Sequence, residues 1–320
     1  MSAKQRLNAE LEKAAAERDA GAFDAARAVL EAVARDPERS ALGPQTALGL
    51  PRRLHSAFLK LAKAERDPLK RIGYQYHLVP DPAVLAPFAA FTSTERRAIA
   101  EANRTSIPPI IHQVWIGDGP IPPSTEAWAR HAKTHGYGHF LWREKDLETA
   151  GVFENGAFRA MLEQGDYPGA VDVARYLLLE QEGGIYLDCD WYPARTDIGF
   201  HDILPMTGLI AMAEAVPRQT GRGSLLLANS FLAAPAHHPI ILRLNDALPK
   251  AIESMPDAPA WWSTGPLLFT VIARGGSLTL ADAAIIAAEL PRGAPFSEVE
   301  AACRAAEAGD GGLLLAWKSW

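Results

Sequence analysis

Two cysteines in 320 residues, Cys189 and Cys303, are too few for a disulfide framework and lack the close spacing of a metal site. Chemistry in this chain does not run on thiols. No apolar run reaches the roughly 18 residues of a spanning helix, and the N-terminus has no signal-type apolar stretch. The expected location is therefore the cytoplasm, with a peripheral place at a membrane left open. An excess of positive charge is also missing. The net charge is −6, which excludes a broad nucleic-acid surface, so no nucleic-acid partner is expected. A phosphate-bearing substrate would need a metal or a few local cations.

What is present is a soluble globular composition, 48% hydrophobic and 22% charged, on a chain long enough for two domains. Residues 4–34 are dense in Ala, Glu and Arg, interrupted at Gly21 and closed by Pro37. Phe23, Ala26, Leu30 and Val33 recur at three- and four-residue steps, one face of a helix. This layout resembles the second helix of a tetratricopeptide repeat. A plain helical extension fits equally, because the following pair, residues 54–64 and 68–78, is out of strict repeat register. Pro80 and Pro82 end it. The reading is a helical N-terminal module over residues 1–104 and an α/β domain over residues 105–320, the helices being a candidate surface for a protein partner.

Beyond residue 106 short apolar runs alternate with helical segments, which predicts a mainly parallel sheet. Residues 110–116 read as a buried strand, 139–142 as a second, 170–182 as a helix and 185–190 as a strand. On that last strand alternation puts Tyr186, Asp188 and Asp190 on one face. Two neighbouring carboxylates repel unless a cation compensates, and a hard divalent ion such as Mn²⁺ or Mg²⁺, shared with a substrate diphosphate, does so. An isolated D-x-D is otherwise an ordinary solvated strand end. Gly183-Gly184 fixes the pair at a tight helix-to-strand junction. One helix earlier Asp172 and Arg175 share a face at i, i+3, either as a surface ion pair or as a paired acid and base that hold sugar hydroxyls.

The segment Ile107-Pro108-Pro109-Ile110-Ile111-His112-Gln113-Val114-Trp115-Ile116-Gly117 resembles the opening strand of the DxD-motif sugar-binding glycosyltransferases. These include yeast α-1,6-mannosyltransferase, bacterial capsular polysaccharide transferases and the catalytic domains of clostridial glucosylating toxins. Asp172-x-x-Arg175-Tyr176, followed by Gly183-Gly184-Ile185-Tyr186-Leu187-Asp188-Cys189-Asp190, resembles that family's core motif.

The resemblance implies a GT-A fold with a Rossmann-like central sheet, a UDP- or GDP-sugar donor (UDP-hexose favoured), Mn²⁺ and a retaining, front-face hexosyl transfer. The acceptor, a glycan, a lipid-linked group or a protein, stays open. It also implies donor contacts. Trp115, with Val114 and Ile116 beside it, stacks on the base; Asp172 and Arg175 hold the sugar; Asp188 contacts ribose or sugar; Asp190 ligates the metal, with Asp188 as the second candidate ligand. Asn229 lies near the sugar, and Ser319 and Trp320, helped by Lys318, close over the diphosphate. A His usual upstream of that element is replaced by Leu313-Leu314-Leu315. Thr264-Gly265-Pro266 is a turn facing acceptor or phosphate, or only a cap. His112 is expected to be structural, and Arg218 and Arg222 to lie in a solvated loop. Two other classes remain: an inactive transferase-like scaffold that recruits partners through its N-terminal helices, and a metal-dependent phosphohydrolase.

Overall fold

The computed structural model describes residues 2–78, 82–213, 226–256 and 258–320. Pro80, Arg218 and Arg222 lie outside these residues. Two compact units divide between residues 82 and 83.

The first unit is helical: α1 (Ala3–Asp19), α2 (Phe23–Arg35), α3 (Arg52–Ala64) and α4 (Pro68–Leu78). The first helix opens on a capping box in which Ser2 and Gln5 exchange hydrogen bonds, so its orphan N–H groups are satisfied locally. Ala26, Leu30 and Val33 are buried with Leu7, Leu42, Leu54, Phe58 and Leu61, the face that the spacing predicts.

The second unit begins upstream of the 104/105 boundary expected from the sequence. After α5 (Pro82–Leu85), α6 (Ser93–Ala102) packs on a helix of the α/β unit and fully buries Ile99. Arg96 Nη1 donates to Gly275 O at 2.7 Å, and the Asn103 amide donates to Ser277 O at 2.9 Å while accepting from Leu209 N at 3.0 Å. Polar composition made this segment look like the end of the helical module. Long-range hydrogen bonds assign it to the α/β unit.

From there the order is β1 (Ile110–Val114), α7 (Pro123–His135), β2 (Gly138–Trp142), α8 (Glu144–Thr149), α9 (Gly156–Glu163), α10 (Tyr167–Gln181) and β3 (Gly184–Leu187). Then come β4 (Trp191–Pro193), α11 (Phe200–Ile203), β5 (Ile210–Ala213), β6 (Leu227–Ala234), α12 (Pro239–Ser254), α13 (Ala260–Ser263) and α14 (Pro266–Ala273). The chain closes with β7 (Thr279–Leu280), β8 (Ile286–Glu289), α15 (Phe296–Ala308) and β9 (Leu314–Ala316).

Six strands form the central sheet in the order β2-β1-β3-β6-β5-β7. Among them β6 alone runs against its neighbours, so the sheet is mainly parallel, as the alternating pattern predicts. A small sheet, β4-β9-β8, carries the C-terminal strand beside the end of β3. This is an α/β unit with a Rossmann-like sheet preceded by helices, the class expected for a GT-A transferase. Ile111, Ile185, Leu187, Trp128, Phe200 and Phe231 form its core, which is why β1 and β3 read as near-continuous apolar runs. Among the described residues no helix is long and apolar enough to cross a membrane.

One local expectation is corrected. The strand does not continue to residue 190; β3 ends at Leu187, and Asp188-Cys189-Asp190 turns into β4, with Trp191 N donating to Asp188 O at 3.2 Å. The apolar count was right, but the chain must change sheets here. Likewise β1 ends at Val114, although Trp115 N still bonds Trp142 O at 3.0 Å.

Candidate active site

The site is assembled where the C-terminal ends of β1 and β3 meet the side of α10. Gly183 and Gly184 make the junction between α10 and β3 possible. Their φ values are +65° and +101°, and a Cβ on Gly184 would stand 2.7 Å from Ile110 O. Only glycine fits a left-handed backbone pressed this closely against β1. His112 seals the same corner. Its Nδ1 accepts from Trp142 Nε1 at 3.0 Å, so Nε2 carries the proton and donates to Gly183 O at 2.9 Å. Burial pushes this imidazole down to about 4, so the ring is neutral and structural.

The helix places Asp172 and Arg175 inside, not on the surface: they are 6% and 3% exposed. Arg175 Nη2 bridges Asp172 Oδ1 at 3.0 Å and Asp188 Oδ1 at 2.9 Å, and its Nη1 donates to Asn229 O. The guanidinium also lies 4.5 Å from the centre of the Tyr186 ring. Burial opposes its charge, but Asp188, Tyr186 and Asp172 outweigh that and hold the guanidinium charged. Asp172 is satisfied on both oxygens. Asn229 Nδ2 donates to Oδ1 at 2.8 Å, and Thr264 Oγ1 donates to Oδ2 at 2.9 Å. Asn229 Nδ2 also reaches Tyr176 OH at 2.9 Å, which itself donates to Thr264 O at 2.9 Å. Burial raises the Asp172 carboxyl to about 6; Arg175 pulls it down and Asp188 pushes it up.

Asp188 and Asp190 stand at the mouth of this network. Tyr186 OH donates to Asp188 Oδ1 at 2.9 Å, so Tyr186 and Asp188 do share a side across the strand end. The turn is pinned from three directions: Asp188 N donates to Ser230 O at 2.9 Å, Ser124 Oγ to Cys189 O, and Trp317 N to Asp190 O at 2.7 Å. Asp190 is half-buried, and burial together with the Asp188 charge raises its carboxyl to about 6, Lys318 acting the other way. Among the described residues no other residue donates to the Asp190 carboxylate, and no group of three or more His, Cys, Asp or Glu could hold a metal by itself. A pair of carboxylates with free oxygens, one of them raised by the other's charge, fits a hard divalent ion that takes its remaining ligands from water and substrate.

The C-terminal residues lie beside the expected base platform. Trp115 and Trp320 meet edge to face with ring centres 4.9 Å apart, and Trp115 Nε1 donates to Gly119 O at 3.1 Å. Lys318 Nζ stands 5.4 Å from the Trp320 ring centre. Val114 is buried and accepts from Cys189 Sγ through its carbonyl at 3.4 Å; Ile116 and Ser319 are half-buried. Thus Asp172, Arg175, Asp188 and Asn229 are joined by direct bonds, Asp190 adjoins them, and Trp115 and Trp320 form a separate aromatic wall.

Sequence reasoning missed three participants. The sequence shows Thr264 only as part of a turn and Tyr176 only as a motif position, and nothing in it singles out Arg143. Arg143 Nη2 donates to Gly117 O at 3.1 Å, while the neighbouring Glu144 accepts from Gly117 N, so both backbone polar groups of Gly117 are held. A polar residue followed by an acid at a strand end carries no signal until the loop opposite is known.

Residues 126–206 match the family model described as a glycosyltransferase sugar-binding region containing a DXD motif. Inositol phosphoceramide mannosyltransferase 3 of Schizosaccharomyces pombe is 28% identical over 177 residues, covering 52% of this chain and 45% of that protein. The chain thus matches about half the length of this curated relative. Among solved structures, the PaToxG glycosyltransferase is similar at 19% identity with a TM-score of 0.42, over 59% of this chain and 75% of that one. The UDP-bound glycosyltransferase domain of the YGT toxin is similar at 11% identity with a TM-score of 0.36, over 53% and 77%. The matched segment contains Asp172, Arg175 and the Asp188-Cys189-Asp190 turn, so the similarity to that family falls on the residues of this site.

Proposed function

We propose that this protein is a metal-dependent glycosyltransferase that moves a hexose from a nucleotide-sugar donor to an acceptor hydroxyl with retention at the anomeric carbon. The observation that carries this reading is the pinned Asp188–Asp190 turn, with free carboxylate oxygens in front of a buried Asp172–Arg175 ion pair. The resemblance to bacterial and toxin transferases favours a UDP-hexose. The S. pombe relative, a mannosyltransferase by name, makes GDP-mannose the rival.

In this reading Asp190 would hold Mn²⁺ or Mg²⁺, and the one free oxygen of Asp188 would either complete the protein ligands of that ion or meet ribose or sugar. When bound, the ion supplies Lewis-acid stabilisation of charge on the departing diphosphate. The chain's own residues do the rest. Trp115 offers an aromatic face to the base. Asp188 is held in one rotamer by Arg175 and Tyr186, so its remaining oxygen is preorganised for ribose or sugar. Asp172 and Asn229 lie behind it, and their mutual hydrogen bonds are the ones a sugar hydroxyl would have to join or exchange.

Both oxygens of Asp172 are engaged, which suits a polar contact better than a free nucleophile. Front-face substitution follows. The bond from C1 to the phosphate oxygen breaks, the acceptor oxygen bonds C1 on the same face, and the acceptor proton passes to the departing phosphate oxygen. A covalent glycosyl-enzyme adduct detected by mass spectrometry would overturn this route.

The test of the function is a thermal-shift and hydrolysis panel of UDP- and GDP-sugars with and without Mn²⁺, repeated on Asp190→Ala. Stabilisation and turnover should require both the ion and Asp190. If no nucleotide sugar stabilises or is consumed by the wild-type protein with Mn²⁺, the reading fails and the scaffold reading takes its place.

A further inference from the structure

Trp261 differs from the tryptophans that build the α/β unit. Trp128, Trp142 and Trp317 each give their N–H to an acceptor among the described residues and pack against another ring. Trp262, its neighbour on α13, is buried. Trp261 is only half-buried. Among the described residues its indole stacks on no ring, and its N–H meets no acceptor. A large aromatic side chain with an open face and an unspent donor gains from any ligand that takes that face out of water.

Its position gives the chemistry of that ligand. Residues three and four apart share one face of a helical turn, and Trp261 precedes Thr264 by three and Gly265 by four. Both of these touch Asp172. Thr264 Oγ1 donates to Asp172 Oδ2 at 2.9 Å. A Cβ on Gly265 would stand 3.0 Å from that same oxygen and 3.0 Å from Trp261 Cα. The absent side chain of Gly265 is thus all that separates the root of the indole from the carboxylate.

Across the sheet, in the order β1-β3-β6, the site runs from Trp115 after β1, through the Asp188-Cys189-Asp190 turn after β3, to Asn229 on β6, which donates to Asp172 at 2.8 Å. A donor with its base on Trp115 and its diphosphate at the turn brings its hexose to Asp172 and Asn229. Trp261 stands at that end. A pyranose carries hydroxyls around its edge and C–H bonds on its faces. Asp172 and Asn229 serve the edge, and an indole serves a face. An aromatic wall with a few placed polar groups is the usual way a site holds such a ligand.

We propose that Trp261 is a donor-binding residue that packs its indole against one face of the hexopyranose ring, so that the sugar adds affinity beyond the nucleotide. The inference rests on the donor reading above. The competing explanation is that Trp261 only supports the turn that carries Thr264. The two differ in what they discriminate. A sugar contact is felt by the nucleotide sugar and not by the free diphosphate, whereas a structural defect is felt by both.

The experiment is calorimetric titration of UDP, UDP-glucose, GDP and GDP-mannose, each with Mn²⁺, into the wild type, Trp261→Ala, Trp261→Leu and Trp261→Phe, with thermal midpoints as a folding control. Trp261→Ala should weaken the nucleotide sugar that binds by about tenfold and leave the matching diphosphate unchanged. Trp261→Phe should keep most of the affinity. Trp261→Leu, apolar but without a flat face, should lose nearly as much as Trp261→Ala.

Equal losses for nucleotide sugar and diphosphate, or no loss for the nucleotide sugar, overturn the proposal. Full recovery in Trp261→Leu overturns it as well. If the wild type binds neither UDP nor GDP, the donor reading itself has failed, and this is visible before any variant is compared.

Discussion

Replacing Arg175 by methionine tests the logic of the site most directly. The guanidinium is 3% exposed and neutralises Asp172 at 3.0 Å and Asp188 at 2.9 Å. Methionine fills much of the volume but returns no charge and no donors. Asp172, 6% exposed, would then keep only the hydrogen bonds from Asn229 and Thr264. Removing one partner of a buried ion pair costs about 3–5 kcal/mol, because the other charge stays behind unpaired. For a unit of this size that lowers the thermal midpoint by roughly 10 °C.

The loss must also depend on pH. Arg175 pulls the Asp172 carboxyl down, so its removal moves that group above its present value of about 6. A folded-state value above the unfolded one means that the folded protein binds the extra proton, so stability falls as pH rises through that window. The destabilisation should therefore be smaller at pH 5 than at pH 8. It should also be partly relieved in Arg175→Met/Asp172→Asn, which removes the stranded charge. Urea denaturation followed by circular dichroism, at both pH values, measures all of this. A loss under about 1 kcal/mol, or one that grows on acidification, would refute the argument.

Gly184→Ala should lower the thermal midpoint sharply, costing about 2–5 kcal/mol from the left-handed backbone and the contact with Ile110 O. Gly156→Ala, where no atom lies within 4 Å of the new Cβ, should be neutral or stabilising, and equal midpoints for the two would sink this reasoning. His112, held neutral with its value depressed to about 4, binds fewer protons folded than unfolded, so its contribution is lost as pH falls from its ordinary range through 4. Denaturation midpoints of His112→Gln should accordingly depend less on pH than those of the wild type between about pH 6.5 and 4; parallel profiles would count against a neutral buried ring.

Much of this was legible in the order of residues. The helical spacing of Ala26, Leu30 and Val33 marked a buried face, and the apolar runs at β1 and β3 marked strands inside a sheet. Gly183-Gly184 marked a junction that no residue with a side chain could make, and two aspartates after a buried strand marked a cation site. These are properties of nearest neighbours and of periodicity, which a chain carries wherever it folds.

Tertiary structure decided the rest. It ended β3 at Leu187 and made the aspartates a turn, because β9 returns from the end of the chain and Trp317 bonds Asp190. It drew residues 93–103 into the α/β unit through bonds to Leu209, Gly275 and Ser277. It turned an i, i+3 pair that reads like a surface ion pair into a buried bridge, since Asn229 and Thr264 arrive from β6 and the end of α13 to satisfy Asp172. Arg143 gained its place only when β1 and β2 paired and brought Gly117 alongside. A sequence fixes which groups can carry charge. Which of those charges are already spent on one another depends on partners far away in the chain, and only the folded contacts supply them.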